Sequence, residues 1–108
     1  MRTLTWFLET VGPGANQAET YRLDGDYTPV RVWAHMTRAP SKEVIIDINA
    51  NGESIFSYRL RFDDEKDADT ADFASVQLSK DSLITLDVDD HGGGSGGAMT
   101  VGLEMDEA

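Results

Sequence analysis

Apolar and polar residues alternate with a period of two along most of this chain. The alternation is sharpest from Glu43 to Phe62, where EVIIDINANGESIFSYRLRF reads as two extended runs joined across Ala50-Asn51-Gly52. Val44, Ile46 and Ile48 share one face of the first run, and Phe56, Tyr58, Leu60 and Phe62 share the greasier face of the second. A two-residue Asn51-Gly52 turn would set that aliphatic face against Ile55, Ser57 and Arg59, burying a cation. A three-residue loop, with Gly52 left-handed in a bulge, instead opposes Ile48 with Ser54, Ile46 with Phe56 and Val44 with Tyr58, and brings Glu43 beside Arg59. This second register is the expectation. It turns Val44, Ile46, Ile48, Phe56, Tyr58 and Leu60 inward together.

The remaining segments carry weaker versions of the same pattern. Thr3 to Val11 predicts a strand with Leu4, Trp6 and Leu8 on one side and Phe7 on the other, stopped by Gly12-Pro13-Gly14. A short strand follows over Glu19 to Leu23, ending at Asp24-Gly25-Asp26. Thr28 to Arg38 is the clearest long strand: Val30, Val32, Ala34 and Met36 face the core, leaving Arg31, Trp33 and His35 outside. Asp63 to Asp72 has almost no apolar content and reads as a solvated loop. Phe73 to Ser79 alternates weakly, Lys80-Asp81 turns the chain, and Ser82 to Asp89 forms a further strand with Leu86 and Val88 on one face. Asp90 to Gly97 is a glycine-rich connector, and Met99, Val101, Leu103 and Met105 line one side of a closing strand. No segment has a helical period. The class is therefore all-β: a single domain, 1–108, built as an antiparallel β-sandwich of about eight strands, jelly-roll-like.

Composition narrows the function more than the fold. Twenty acids against nine bases give a net charge of −11, the wrong sign for wrapping a phosphate backbone, so nucleic acid is not an expected partner. A basic protein patch suits this surface better. The chain has no cysteine, which fits a reducing cytoplasm and removes thiolate metal ligands. The first residues, MRTLTWFLET, are too short and too broken an apolar run for a signal peptide or a membrane span.

Catalytic chemistry finds no constellation. A Gly-x-Ser-x-Gly elbow is missing, the glycine run lacks the Lys-Ser/Thr of a phosphate cradle, and nothing singles out two of the carboxylates as a hydrolytic pair. The acids Asp63, Asp64, Glu65, Asp67, Asp69 and Asp72 supply oxygen ligands for calcium, but counted from Asp67 the sixth position is Asp72 and the twelfth Leu78, against the EF-hand rule. His91 beside Asp89 and Asp90 would need further converging ligands to hold a metal. The expectation is no enzyme, no cofactor and no metal. Trp33, flanked by Arg31 and His35, is the strongest interface candidate, because Trp and Arg concentrate energy at interfaces. Trp6 and Phe7, on opposite faces of the first strand, and Arg59 and Arg61, on the polar side of the hairpin, are the others.

The segment IIDINANGESIF, Ile45 to Phe56, resembles a pattern found in small β-sandwich domains of tailed-bacteriophage virion structural proteins, of head decoration, head fibre and minor tail type. Val32 to Pro40 resembles the preceding strand with its Ala-Pro turn, Leu83 to Val88 the later strand, and Ala98-Met99-Thr100-Val101-Gly102-Leu103 the closing one, so the likeness spans about Leu23 to Met105. It departs from the pattern at Lys80, where glycine is usual. The resemblance implies a non-enzymatic virion component assembled in the host bacterial cytoplasm, foremost a capsid decoration protein. Its partners would be a major capsid or tail protein and its own copies, as a homo-oligomer such as a trimer. A tail or baseplate component is the alternative, as is a carbohydrate or receptor-binding module with Trp33 and Tyr27 as a stacking platform.

Overall fold

The computed structural model describes residues 1–11, 18–62, 65–74, 77–91 and 97–108. Among them are nine strands: β1 (Arg2–Leu8), β2 (Tyr21–Arg22), β3 (Tyr27–Met36), β4 (Val44–Ala50), β5 (Glu53–Ser54), β6 (Leu60–Phe62), β7 (Asp67–Thr70), β8 (Leu83–His91) and β9 (Met99–Glu107). They form two antiparallel sheets, ordered β1-β9-β3-β7 and β2-β8-β4-β5, with β6 also paired to β4. Successive strands from β1 to β4 change sheet at every step. With β5 and β6 taken as halves of one interrupted strand, the eight resulting strands wind as a jelly roll.

The core lies between the sheets and is made by the alternation. Leu4, Trp6 and Leu8 of β1, Val44, Ile46 and Ile48 of β4, Ile84, Leu86 and Val88 of β8, and Met99, Val101, Leu103 and Met105 of β9 are all buried. Trp6 is 1% exposed, its indole N–H donates to the Glu19 carbonyl at 2.6 Å, and its ring meets Tyr21 edge-on at 5.4 Å. It is a core residue and not part of an outer surface. The Tyr21 hydroxyl, in turn, donates to the Thr5 carbonyl at 2.6 Å, on the outermost strand of its sheet.

The central hairpin takes a register different from the expected one. Ala50 pairs with Glu53 and Asn49 with Ser54, closing a two-residue turn in which Asn51 (φ 52°) and Gly52 (φ 86°) are both left-handed, the arrangement that Asn-Gly favours. No arginine is buried by this, because the ladder does not continue. Ile55 still bonds to Ile48, but the chain then leaves the sheet and returns with Ile46 opposite Leu60, where an unbroken ladder would put Ser57. An odd offset of three residues restores Leu60 and Phe62 to the inner face. Phe56 turns into the core edge and stacks on Phe73 at 6.1 Å, whereas Tyr58 is 81% exposed. The expected Ile46–Phe56 and Val44–Tyr58 pairs do not form, and Glu43 meets Arg61 at 3.3 Å instead of Arg59.

Two further differences have local causes. β3 carries a bulge between Pro29 and Arg31, where proline has no N–H for the ladder. The bulge reverses the alternation below it, so Val30 is exposed and Tyr27 and Pro29 are buried. The acidic stretch after Phe62 is not wholly a loop. Its Asp67–Thr70 part pairs with β3, setting Asp67 opposite His35 and Asp69 opposite Trp33. Polar contacts across the strands, Asp67 with His35 and Asp69 with Arg31, take the place of apolar pairs. Phe73 and Leu78 make only isolated bridges, to Phe56 and Tyr27.

Candidate functional site

The register of the first sheet determines which outward side chains become neighbours. One row across it reads Thr5, Gly102, Trp33, Asp69, and the next Phe7, Thr100, His35, Asp67. With neighbouring strands about 4.8 Å apart and a rise of about 3.4 Å per residue, Phe7 and Trp33, two strands and one row apart, stand about 12 Å from each other on the sheet. Phe7 is 62% exposed, and Trp33 is half-buried by its own sheet. The cause is Gly102: a Cβ there would come within 2.3 Å of Trp33 Cε2 and Cζ2, so the indole occupies the place of a missing side chain. Glycine in the middle of an otherwise apolar alternating strand is the sequence signal for this close approach.

A hydrogen-bonded histidine and an arginine ion pair border the indole on its β7 side. The His35 imidazole Nδ1 lies 2.6 Å from an Asp67 oxygen, and Arg31 bonds to Asp69 at 3.3 Å and reaches Glu104 at 3.8 Å. Arg31, Trp33 and His35 thus do stand together on one face, as the alternation predicts, and Phe7 joins them from β1. Tyr27 does not join them. It is 7% exposed, its hydroxyl donates to Asp24 at 2.5 Å, and the Arg2 guanidinium lies over its ring. That hydroxyl, followed by the Arg2 charge, holds the Asp24 carboxyl below its ordinary range. The Trp33–Tyr27 platform is therefore not formed, for the same reason that Val30 is outside: the bulge at Pro29.

A second feature lies where the two sheets end beside each other. The segment 56–59 leaves the second sheet and, with the outer edge of β7, borders an open groove of about 1030 Å³. Its walls include Tyr58, Arg59, Arg61, Asp67 and Asp69, with Asp47 and Ser54 from the hairpin. Asp47 is 9% exposed and accepts a hydrogen bond from the Ser54 hydroxyl at 2.5 Å. Burial raises its pKa, and the charges of Asp89 and Asp87 add to the rise, against the lowering by Ser54. Arg59 is tied to Asp89 at 3.0 Å, so the excursion that carries Tyr58 is fixed at its far side. Neither Tyr58 nor Asp47 was a sequence candidate, since both depend on the break in the ladder.

No group of three or more acids and histidines positioned to hold a metal occurs among the described residues. Asp67 and Asp69 of the calcium reading are engaged by His35 and Arg31, and Asp63 and Asp64 lie outside the described residues. The His91 metal reading rests on a side chain that also lies outside them, as does the glycine run 92–96.

No family model matches the chain, and no curated protein matches it. Among solved structures it is similar to a carbohydrate-binding module, CBM36, in complex with calcium and xylotriose, with a TM-score of 0.46 and 12% identity over 96% of this chain and 72% of that one. It is also similar to FLHE, with a TM-score of 0.40 and 13% identity over 94% of this chain and 95% of that one. At these values no site is carried over from either.

Proposed function

We propose that the protein is a non-catalytic docking module that attaches in symmetric copies to a larger assembly through the outer face of the β1-β9-β3-β7 sheet. The observation that carries this reading is Phe7, 62% exposed on a regular strand and sharing its face with Trp33, Arg31 and His35. An exposed aromatic beside a propped indole, rimmed by fixed charges, has the make-up of an interface centre with a polar border. The charge balance supports a protein partner with a basic surface. Arg2, Arg22, Arg31, Arg59 and Arg61 are all engaged by carboxylates of the same chain, which leaves the surplus of −11 to be met from outside.

The resemblance of Ile45 to Phe56 to phage virion domains supports a place on a phage particle. There the protein would stabilise the capsid as a decoration protein, with the major capsid protein and sister copies as neighbours and a tail site as the alternative. Stabilisation in such a lattice grows with the number of copies engaged. Light scattering of the purified chain, alone and mixed with purified virion shells, tests the reading. The expected result is a homo-oligomer, or a monomer captured by shells, that Phe7→Ser and Trp33→Ser both abolish. A wild-type chain that stays monomeric and free in both conditions overturns it.

A further inference from the structure

The groove beside the excursion has features that the docking face does not use. Tyr58 is the most exposed tyrosine position in its neighbourhood at 81%, yet it stands on a segment held at both sides: Phe56 stacks on Phe73 before it, and Arg59 is tied to Asp89 after it. An exposed aromatic ring on a supported segment has a face open for stacking a ligand. The opposite wall is the edge of β7. All four of its residues, Asp67, Ala68, Asp69 and Thr70, line the groove, although side chains on a strand alternate in direction, so its backbone amides and carbonyls also border the space.

The chemistry of the lining selects a class of ligand. Carboxylates (Asp47, Glu65, Asp67, Asp69) and guanidinium groups (Arg59, Arg61) share the groove, and Ser54, Ser57 and Thr70 add hydroxyls to its lining. With four carboxylates to two guanidinium groups the lining disfavours a polyanion, and the two arginines stand against a polycation. It offers donors and acceptors side by side in one groove, which fits a neutral molecule bearing many hydroxyl groups. A peptide adding to β7 is the less suited occupant. The strand is four residues long and carries Asp67 and Asp69, the short charged edge that proteins use against strand addition. We infer that this groove is a binding site for an uncharged oligosaccharide, with Tyr58 as the stacking ring and the Asp47, Arg59 and Arg61 side chains as its hydrogen-bonding partners. The inference goes beyond the docking reading: Asp67 and Asp69 border both places, but Tyr58, Asp47, Arg59 and Arg61 line the groove and are not on the Phe7–Trp33 face.

Titration calorimetry of the full chain with cellopentaose, maltopentaose and N-acetylchitopentaose tests it. At least one is expected to bind with a dissociation constant in the millimolar range or below. Tyr58→Ala should then weaken binding by about tenfold or more, and Tyr58→Phe, which keeps the ring, should retain most of it. Because Tyr58 is outside the core, circular dichroism of the alanine variant should match the parent and exclude misfolding as the cause. Silence with all of these sugars overturns the inference, as does binding indifferent to Tyr58→Ala. Binding of an extended Lys-Val repeat peptide in place of the sugars overturns it as well.

Discussion

Trp33 and Tyr58 are both aromatic, both reach solvent, and are held by opposite kinds of backbone. Trp33 projects from the middle of a continuous ladder, and its indole rests on a neighbouring strand where Gly102 leaves room. Tyr58 projects from a break in a ladder, with no strand partner at its own position. The first is supported by regularity and the second by what flanks the irregularity, the Phe56–Phe73 stack and the Arg59–Asp89 pair. An exposed aromatic on a ladder needs only the right neighbour. One on a break needs anchors on both sides, and those anchors determine how much a change nearby will cost.

The sharpest test of that contrast is the inward residue where the excursion ends. Phe62 is 1% exposed, and Phe62→Ala should cost about 3–5 kcal/mol in urea unfolding, with the excursion losing its return point. A loss below about 1 kcal/mol would mean that the break is not anchored there. On the ladder side, Gly102→Ala places a methyl group where the indole lies. The ring can swing toward solvent, so stability should change by no more than about 1 kcal/mol, while Trp33 fluorescence shifts to the red and the self-association or shell binding weakens. Trp6, buried, supplies an unshifted reference in the same spectrum.

Asp47, at the foot of the excursion, gives a smaller effect with a defined sign. Its folded-state pKa is raised, chiefly by burial, so ionising it costs more in the folded chain than in the unfolded one. The wild type therefore loses stability as pH rises from the ordinary carboxylate value through the raised folded value. Asp47→Asn, whose side-chain oxygen still accepts from Ser54, should be the more stable protein at neutral pH, and the two unfolding curves should converge in acid. A variant less stable than the parent at neutral pH would show that the charge is needed. Smallest of all, Tyr58→Ala should leave the unfolding free energy within about 0.5 kcal/mol of the parent, because an 81% exposed ring contributes little packing.

How far the chain could be read in advance follows the same division. β1, β9 and β8 as far as Val88 are clear in the sequence because Leu4, Trp6 and Leu8, Met99 to Met105, and Ile84, Leu86 and Val88 keep their parity; beyond Val88 the pairing of β8 with β4 shifts by a residue. So is the grouping of Arg31, Trp33 and His35. Parity fails wherever a residue is inserted. The offset after Ile55 turned the expected hairpin register wrong and hid Tyr58, and the bulge at Pro29 exchanged Val30 with Tyr27. Neither insertion changes composition, so a reading by alternation passes over it. The acidic strand β7 was missed for a different reason. Its partners are the bases of β3, a long-range complement that no local window contains.

The Tyr21 hydroxyl on the Thr5 carbonyl bears on behaviour at high concentration. The outermost strand of the first sheet is seven residues long and rich in β-formers, a template on which another chain could zip up and seed fibrils. A phenol lodged midway along that margin interrupts the template, so growth by edge-to-edge polymerisation is checked. Copies that crowd together then find that margin closed to strand addition at Thr5.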